Sequence, residues 1–314
     1  MNTKENVLEV KHLTKIYGTY KAVDDISFVV PKGSAIGLLG PNGAGKTTTI
    51  QVLLGVTLSN GGSISYFGMN FEKHRQACLQ MINFASSFNS LQGRITVWEN
   101  LIVYAGLYEI QNPDKRIKEL AETFEVADLF SMRYWDISAG QKTRVNLVKA
   151  FINDPELILF DEPTASLDPD ISDKLLSLIE RLKKERNLSL LYTSHDMDEV
   201  ARVCDDVIFL DHGKIVAHDT PLGLTKRIEH SRLTIVFEGS KQAVSDILSK
   251  HDLTFTFPKD YSVNIKLGES LIPKIIFNLS KEGIWITDIT IHKPTLEDVF
   301  LSIARGSNDF SLTH

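Results

Sequence analysis

Apolar and polar residues alternate in VLEVKHLTKIY and AVDDISFVV near the start of the chain, then the apolar ones close up in GSAIGLLG. Period-two alternation predicts half-buried strands, and the continuous run predicts a strand covered on both faces. The next apolar positions, in KTTTIQVLLGV, fall at helical spacing, and GGSISYFG reads as a hairpin. From about residue 97 to 154 the pattern is helical throughout, in TVWENLIVYAGLY, DKRIKELAETFEV and KTRVNLVKAFIND. Short apolar runs (LILF, LSLLYTS, DVIFLD) then alternate with helical stretches (ISDKLLSLIERLKKE, MDEVARVC). That alternation predicts an α/β sheet that is at least partly parallel.

The pattern changes near Thr220, where TPLGLTKRI interrupts it with Pro and Gly. Beyond this break come RLTIVFEG, SKQAVSDILSKH, LTFTF, YSVNIKL, ESLIPKIIFNLSKEG and IWITDITI, in the order strand, helix, strand, strand, helix, strand. This βαββαβ order is the ferredoxin-like split arrangement. A helix in TLEDVFLSIARG and a loose tail, SNDFSLTH, complete the chain. The expected division is therefore residues 1–221 and 222–314.

Composition narrows the function classes. A net charge of −6 over 314 residues disfavours nucleic acid as partner, since phosphate backbones are gripped by dense Lys/Arg patches. The densest basic cluster, ERLKKER at Glu180–Arg186, is interleaved with acids and reads as a solvated helix face. Cys78 and Cys204 have no zinc spacing and are expected to be free thiols in a reducing compartment. MNTKENVLEV lacks the apolar centre of a signal peptide. The best apolar run, LIVYAGLY from Leu101, falls short of the roughly 18 residues that cross a bilayer. Any membrane-spanning part must then belong to another chain.

Three segments carry chemistry. GPNGAGKTT, Gly40 to Thr48, fits G-x-x-x-x-G-K-[ST] between an apolar strand and a helix. Its glycines let backbone N–H groups curl around a phosphate, Lys46 reaches the terminal phosphates, and the Thr47 hydroxyl suits Mg²⁺. The helix after the loop aims its N-terminus at the anion. LILFDEP delivers Asp161 and Glu162 at the end of an apolar strand. Asp161 suits a hard cation and Glu162 can polarise a water. Taken alone, an acidic pair ending a strand is more often a helix cap or a surface feature. DISAGQKTRVNL opens a helix with Ser138, Gly140 and Gln141, an ordinary N-cap by itself but placed about twenty residues before the acidic strand.

With these pieces in order, residues Leu8 to Pro221 resemble the ATP-binding cassette of ABC transporters. GPNGAGKTT matches Walker A, LILFDE matches Walker B and ISAGQ is similar to the signature Leu-Ser-Gly-Gly-Gln. SLD, Ser166 to Asp168, matches the D-loop; His195 falls at the switch-histidine position; and Tyr17 stands where the family stacks an aromatic on adenine. The resemblance implies a P-loop NTPase fold with a RecA-like core, an antiparallel β subdomain and a helical subdomain at about 97–154. It implies ATP and Mg²⁺ as ligands, the latter on Thr47 and Asp161. It also implies two cassettes closing head to tail, so that Lys46, Thr47, Asp161, Glu162 and His195 of one face Ser138 and Gly140 of the other across ATP, with Gln141 and Asp168 also among the nucleotide-binding residues. The 222–314 region, ending in PTLEDVF, resembles the tail of cassettes serving ABC-2 type exporters. That resemblance implies permease partners, a peripheral place on the cytoplasmic face of the membrane, and a packing or dimerisation module in preference to a ligand-binding one.

Two positions depart from the family pattern. Ala139 replaces a glycine of the signature, which is tolerable if its φ is negative. Ungapped alignment on ITVWEN puts Ser87 where the family has its Q-loop glutamine, with Gln92 five residues too late. Ser87 is expected to reach a metal through water or not at all. Gln92 is expected on the surface, and Phe88 is a candidate for coupling to a permease. Two other classes compete with transport. Translation and repair cassettes usually carry a second cassette, coiled coils or zinc modules, and none is apparent here. A non-hydrolysing binding protein is disfavoured by Lys46, Glu162 and His195 together.

Overall fold

The structure is a computed structural model that describes residues 5–87, 90–228 and 230–304. Phe88 and the tail from Ser307 lie outside the described residues. The chain divides into two compact units, Met1–Pro221 and Leu222–His314.

In the first unit, β1 (Asn6–Tyr17) and β2 (Tyr20–Pro31) form a long hairpin, joined by β4 (Gly61–Tyr66) and β5 (Met69–Asn70) in the order β2-β1-β4-β5. Its pairings are antiparallel. The second sheet holds β3 (Ala35–Leu39), β6 (Ile82–Ser86), β7 (Leu157–Asp161), β8 (Ser189–Thr193), β9 (Asp206–Asp211) and β10 (Lys214–Asp219), ordered β10-β9-β3-β8-β7-β6. Among the described residues, β9–β10 is the one antiparallel pairing of this sheet. β3, β7 and β8 are buried along their whole length, which is why they read as unbroken apolar runs. The strand order reverses beside β3, so the carboxyl ends of β3 and β7 face one crevice, where ligands bind open α/β sheets.

Helix α1 (Lys46–Leu53) leaves β3 through the glycine loop, and α2 (Arg75–Met81) leads into β6. Helices α3 (Val97–Leu107), α4 (Pro113–Thr123) and α5 (Ala139–Ala150) fill the stretch before β7. Thr96 caps α3 and Ser138 caps α5, each in a reciprocal capping box with the Glu99 or Gln141 three residues on. α6 (Pro169–Arg186) and α7 (Met197–Val203) come after β7 and β8. The hairpin sheet and the β3 side of the parallel sheet share one apolar core, which includes Leu8, Phe28, Ile36, Ile50, Tyr66 and Leu159.

α8 (Pro221–Thr225) precedes the second unit's sheet, built of β11 (Ser231–Glu238), β12 (Thr254–Lys259), β13 (Ser262–Leu267) and β14 (Trp285–His292). Its order is β12-β13-β11-β14, all antiparallel. α9 (Lys241–Ser249) and α10 (Ile272–Lys281) contribute to its separate core with Leu233, Ile235, Phe237, Val244 and Leu279. α11 (Leu296–Ala304) comes last.

Candidate functional site

The loop between β3 and α1 takes its shape from glycine. Gly40 has φ 149° and Gly45 φ 105°; a Cβ on either would lie 2.2 Å from the Leu210 carbonyl oxygen or 2.3 Å from that of Ala22. No other residue type fits these two positions without moving backbone. The loop curls so that the Lys46 ammonium donates to the carbonyl oxygens of Gly40 (2.5 Å) and Pro41 (3.2 Å). Partial burial pushes the Lys46 pKa down, opposed by the nearby Glu162 and Asp161 carboxyls.

At the end of β7, Asp161 is buried and its Oδ1 accepts from Thr193 Oγ1 at 2.7 Å. Glu162 adopts φ 54°, a left-handed conformation that is uncommon for a residue with a side chain. Its N–H donates to the Thr193 carbonyl at 3.1 Å, and its Oε2 accepts from the His195 backbone N–H at 3.1 Å. Oε1 is buried without a hydrogen bond among the described residues; His195 Nε2 stands 3.2 Å away as a charge neighbour rather than an aligned donor. Desolvation raises the Glu162 pKa, against the lowering effect of His195 and its N–H. A strained, buried carboxyl with a spare oxygen suits a residue that awaits a partner.

Asn42 to Thr48, Asp161, Glu162 and His195 line one cleft of about 840 Å³ together with Tyr20, Phe84 and Ser86. Other expected residues lie elsewhere. Tyr17 sits at the hairpin tip opposite Tyr20, half exposed, with the Lys15 ammonium 4.8 Å from its ring centre. Ser138 and Gln141 are spent on each other in the capping box, and neither they, Gly140 nor Asp168 lines the cleft. A Cβ on Gly140 would lie 3.1 Å from the Ser166 carbonyl oxygen, so the signature helix and the SLD loop abut. Ala139 is absent from the positive-φ residues and forms the first turn of α5, so its methyl is accommodated. The Ser87 hydroxyl donates to the Glu162 carbonyl oxygen. The Gln92 side chain is exposed, while its backbone is held by Asn100 on both sides.

Several residues escaped the motif reading. Tyr20 donates to the Gly43 carbonyl at 3.0 Å, bracing the phosphate loop. Glu199 Oε2 is buried and accepts three hydroxyls, from Thr164 (2.8 Å), Tyr192 (2.9 Å) and Ser194 (3.1 Å). It thereby ties the segment after Glu162 to the one before His195. Lys149 donates to the Phe84 carbonyl at 2.7 Å, linking α5 to β6; burial pushes its pKa down to about 8. For Glu199 the available signal was a charged residue one turn before Val203 and beside Val200 in a short helix; Lys149 shares its buried face with Thr143 and Asn146 and gave no such contrast.

Comparison with known proteins gives a consistent picture. The ABC transporter family matches residues 23–165. The Nod factor export ATP-binding protein I of Neorhizobium galegae is 35% identical over 78% of this chain and 71% of its own length. The bacitracin transport ATP-binding protein of Bacillus licheniformis is 31% identical over 96% of this chain and 98% of its own. Among solved structures, an ATP-binding subunit of an ABC transporter is similar with TM-score 0.65 at 28% identity, covering 70% of this chain and 92% of that one.

Proposed function

This chain belongs to the ABC transporter family, as an ATP-binding and ATP-hydrolysing subunit of exporter type, and on that premise we propose how its residues hold ATP and which partners complete the machine. One observation carries the reading: three segments far apart in sequence bring Lys46 of the glycine loop, the adjacent Asp161 and Glu162, and His195 to a single cleft.

Gly40, Pro41, Asn42, Gly43, Ala44, Gly45, Lys46, Thr47 and Thr48 cradle the triphosphate. Lys46 exchanges the Gly40 and Pro41 carbonyls for phosphate oxygens, and a dianionic partner offsets the desolvation that its ammonium already bears. Tyr17 stacks on adenine, with Tyr20 beside it. Glu162 takes a proton from the attacking water with its uncommitted Oε1, and His195 holds both the Glu162 carboxyl and the terminal phosphate. Catalysis here is positioning and charge stabilisation, as phosphoryl transfer requires.

The donors also fit Mg²⁺. Asp161 offers one carboxyl and Thr47 one hydroxyl, and no group of three His, Cys, Asp or Glu among the described residues could form a full cage. Such a site suits an ion that keeps its waters and shares the substrate's phosphates. When bound, Mg²⁺ neutralises phosphate charge. Ser87 acts on this centre through its hydrogen bond to the Glu162 carbonyl.

Ser138, Gly140, Gln141 and Asp168 serve the site of a second, identical cassette, which is consistent with their lying away from the cleft of their own chain. The remaining partners are permease subunits of ABC-2 type. No helix among the described residues is long and apolar enough to cross a membrane, so the spanning part falls to them. The chain then works at the cytoplasmic face, with residues 222–314 as a ferredoxin-like accessory unit. The named cargoes of the relatives differ from one another, so cargo depends on the permease. Ser138→Arg tests the head-to-tail arrangement: ATPase falls at least tenfold while ATP affinity stays within about threefold. Undiminished ATPase would overturn it.

A further inference from the structure

The two edges of the second unit's sheet are built differently. β12 carries Pro258 and Lys259, and its register with β13 is broken between Thr256 and Lys259. Proline and lysine are the usual means of keeping an edge from pairing. β14, the opposite edge, has neither between Trp285 and His292. It is exposed along almost its whole length, and Ile289 and Ile291 are 39% and 46% exposed. They stand opposite Ile235 and Leu233, so they continue the apolar face of the sheet out to an edge that no strand among the described residues covers.

A bulge separates Ile286 from Asp288 in the pairing with β11, which leaves one regular stretch, Asp288 to His292. Its midpoint is Thr290. Run antiparallel against itself about that midpoint, the stretch is self-complementary. Thr290 meets Thr290, Ile289 meets Ile291, and Asp288 meets His292. The last match sets an acid beside a row of basic side chains. Lys266, Arg232 and His292 stand in direct register across three strands on one face. An aspartate opposite His292 would bring a carboxylate acceptor within reach of the imidazole at the end of that row.

We propose that β14 pairs edge to edge with β14 of a second copy of this chain, about a two-fold axis at Thr290, forming one continuous sheet from two accessory units. This contact is independent of nucleotide and distinct from the head-to-tail cassette sandwich. It buries the four edge isoleucines on one face and forms two Asp288–His292 pairs on the other.

Directly opposed residues of an antiparallel pair lie about 4.5–5.5 Å apart at Cα, within the roughly 4.4–6.8 Å that a disulfide spans. Full-length Thr290→Cys under mild oxidation is therefore expected to give a dimer-sized band on a non-reducing gel. Cys78 and Cys204 are buried and should stay silent. Asp288→Cys alone should not cross-link, because its own copy sits about 13 Å along the strand. Mixed with His292→Cys, it should. The Thr290→Cys product should form equally without ATP and in a Lys46→Ala background, which separates it from the sandwich. As a second measurement, Asp288→Lys should raise the nucleotide-free dimer dissociation constant at least tenfold, and adding His292→Glu should restore it. Cross-linking at position 290 no faster than in an exposed control such as Phe277→Cys, or only with ATP present, would overturn the proposal.

Discussion

Removing the Glu199 carboxyl should cost the cassette both stability and turnover, and the structure sets the size of each. Glu199 Oε2 is the shared acceptor for Thr164, Tyr192 and Ser194, all buried. Glu199→Ala strands three hydroxyls. A buried donor left without an acceptor costs about 1–3 kcal/mol. Partial relaxation around a shrunken side chain puts the total nearer the low end, about 3–5 kcal/mol. For a unit of this size that is a loss of roughly 10 °C in the melting temperature. Turnover should suffer because Ser194 also accepts from the Asp196 N–H, and this turn holds His195 over Glu162. The phosphate loop is untouched, so kcat is expected to fall about tenfold while KM for ATP stays within twofold. Differential scanning calorimetry and steady-state ATPase assays measure both. A second substitution sharpens the reasoning. Tyr192→Phe removes one donor, so it should destabilise wild type by about 1–2 kcal/mol yet be neutral or stabilising on top of Glu199→Ala. Additive effects of the two changes, or a melt unchanged by Glu199→Ala, would refute the network account.

The site yields two further expected outcomes. Ser87→Ala loses one hydrogen bond to the Glu162 carbonyl, so ATPase should drop only a few-fold and Gln92→Ala should leave it unchanged; a hundredfold loss for Ser87→Ala would make the hydroxyl a direct metal ligand. Burial lifts the Glu162 pKa above the ordinary 4.5, so its base form is lost as pH falls through that raised value. The acid limb of kcat/KM against pH, which reports the free enzyme, should accordingly have its midpoint above 4.5, and a midpoint at or below 4.5 would contradict the assignment.

What the sequence disclosed depended on how local each feature is. GPNGAGKTT encodes its own geometry: the glycines at positive φ, the lysine and the helix start are contiguous, so the loop was legible from residue types alone. LILFDE was legible because a strand buried on both faces must read as an apolar run. Glu199 was not, because its meaning lies in hydroxyls up to 35 residues away that only the packing of α7 brings together. Tyr17 and Tyr20 illustrate a finer limit. They are three residues apart with the same chemistry, and the hairpin register puts the second, not the first, against the phosphate loop. Helix α2 was missed altogether: RQACLQM spans seven residues and buries only Cys78, too little for a helical period to emerge. Ser87 departs from the family pattern in a way the sequence shows, yet its hydrogen bond to the Glu162 carbonyl depends on the strand pairing of β6 with β7.

The central claim is that Glu162 activates water on ATP held by the glycine loop. Glu162→Gln tests it most directly, by ATPase assay and by size-exclusion chromatography with ATP and Mg²⁺. The account predicts hydrolysis slowed at least about a hundredfold, with ATP still bound and a nucleotide-stabilised dimer accumulating. Turnover at the wild-type rate would contradict it.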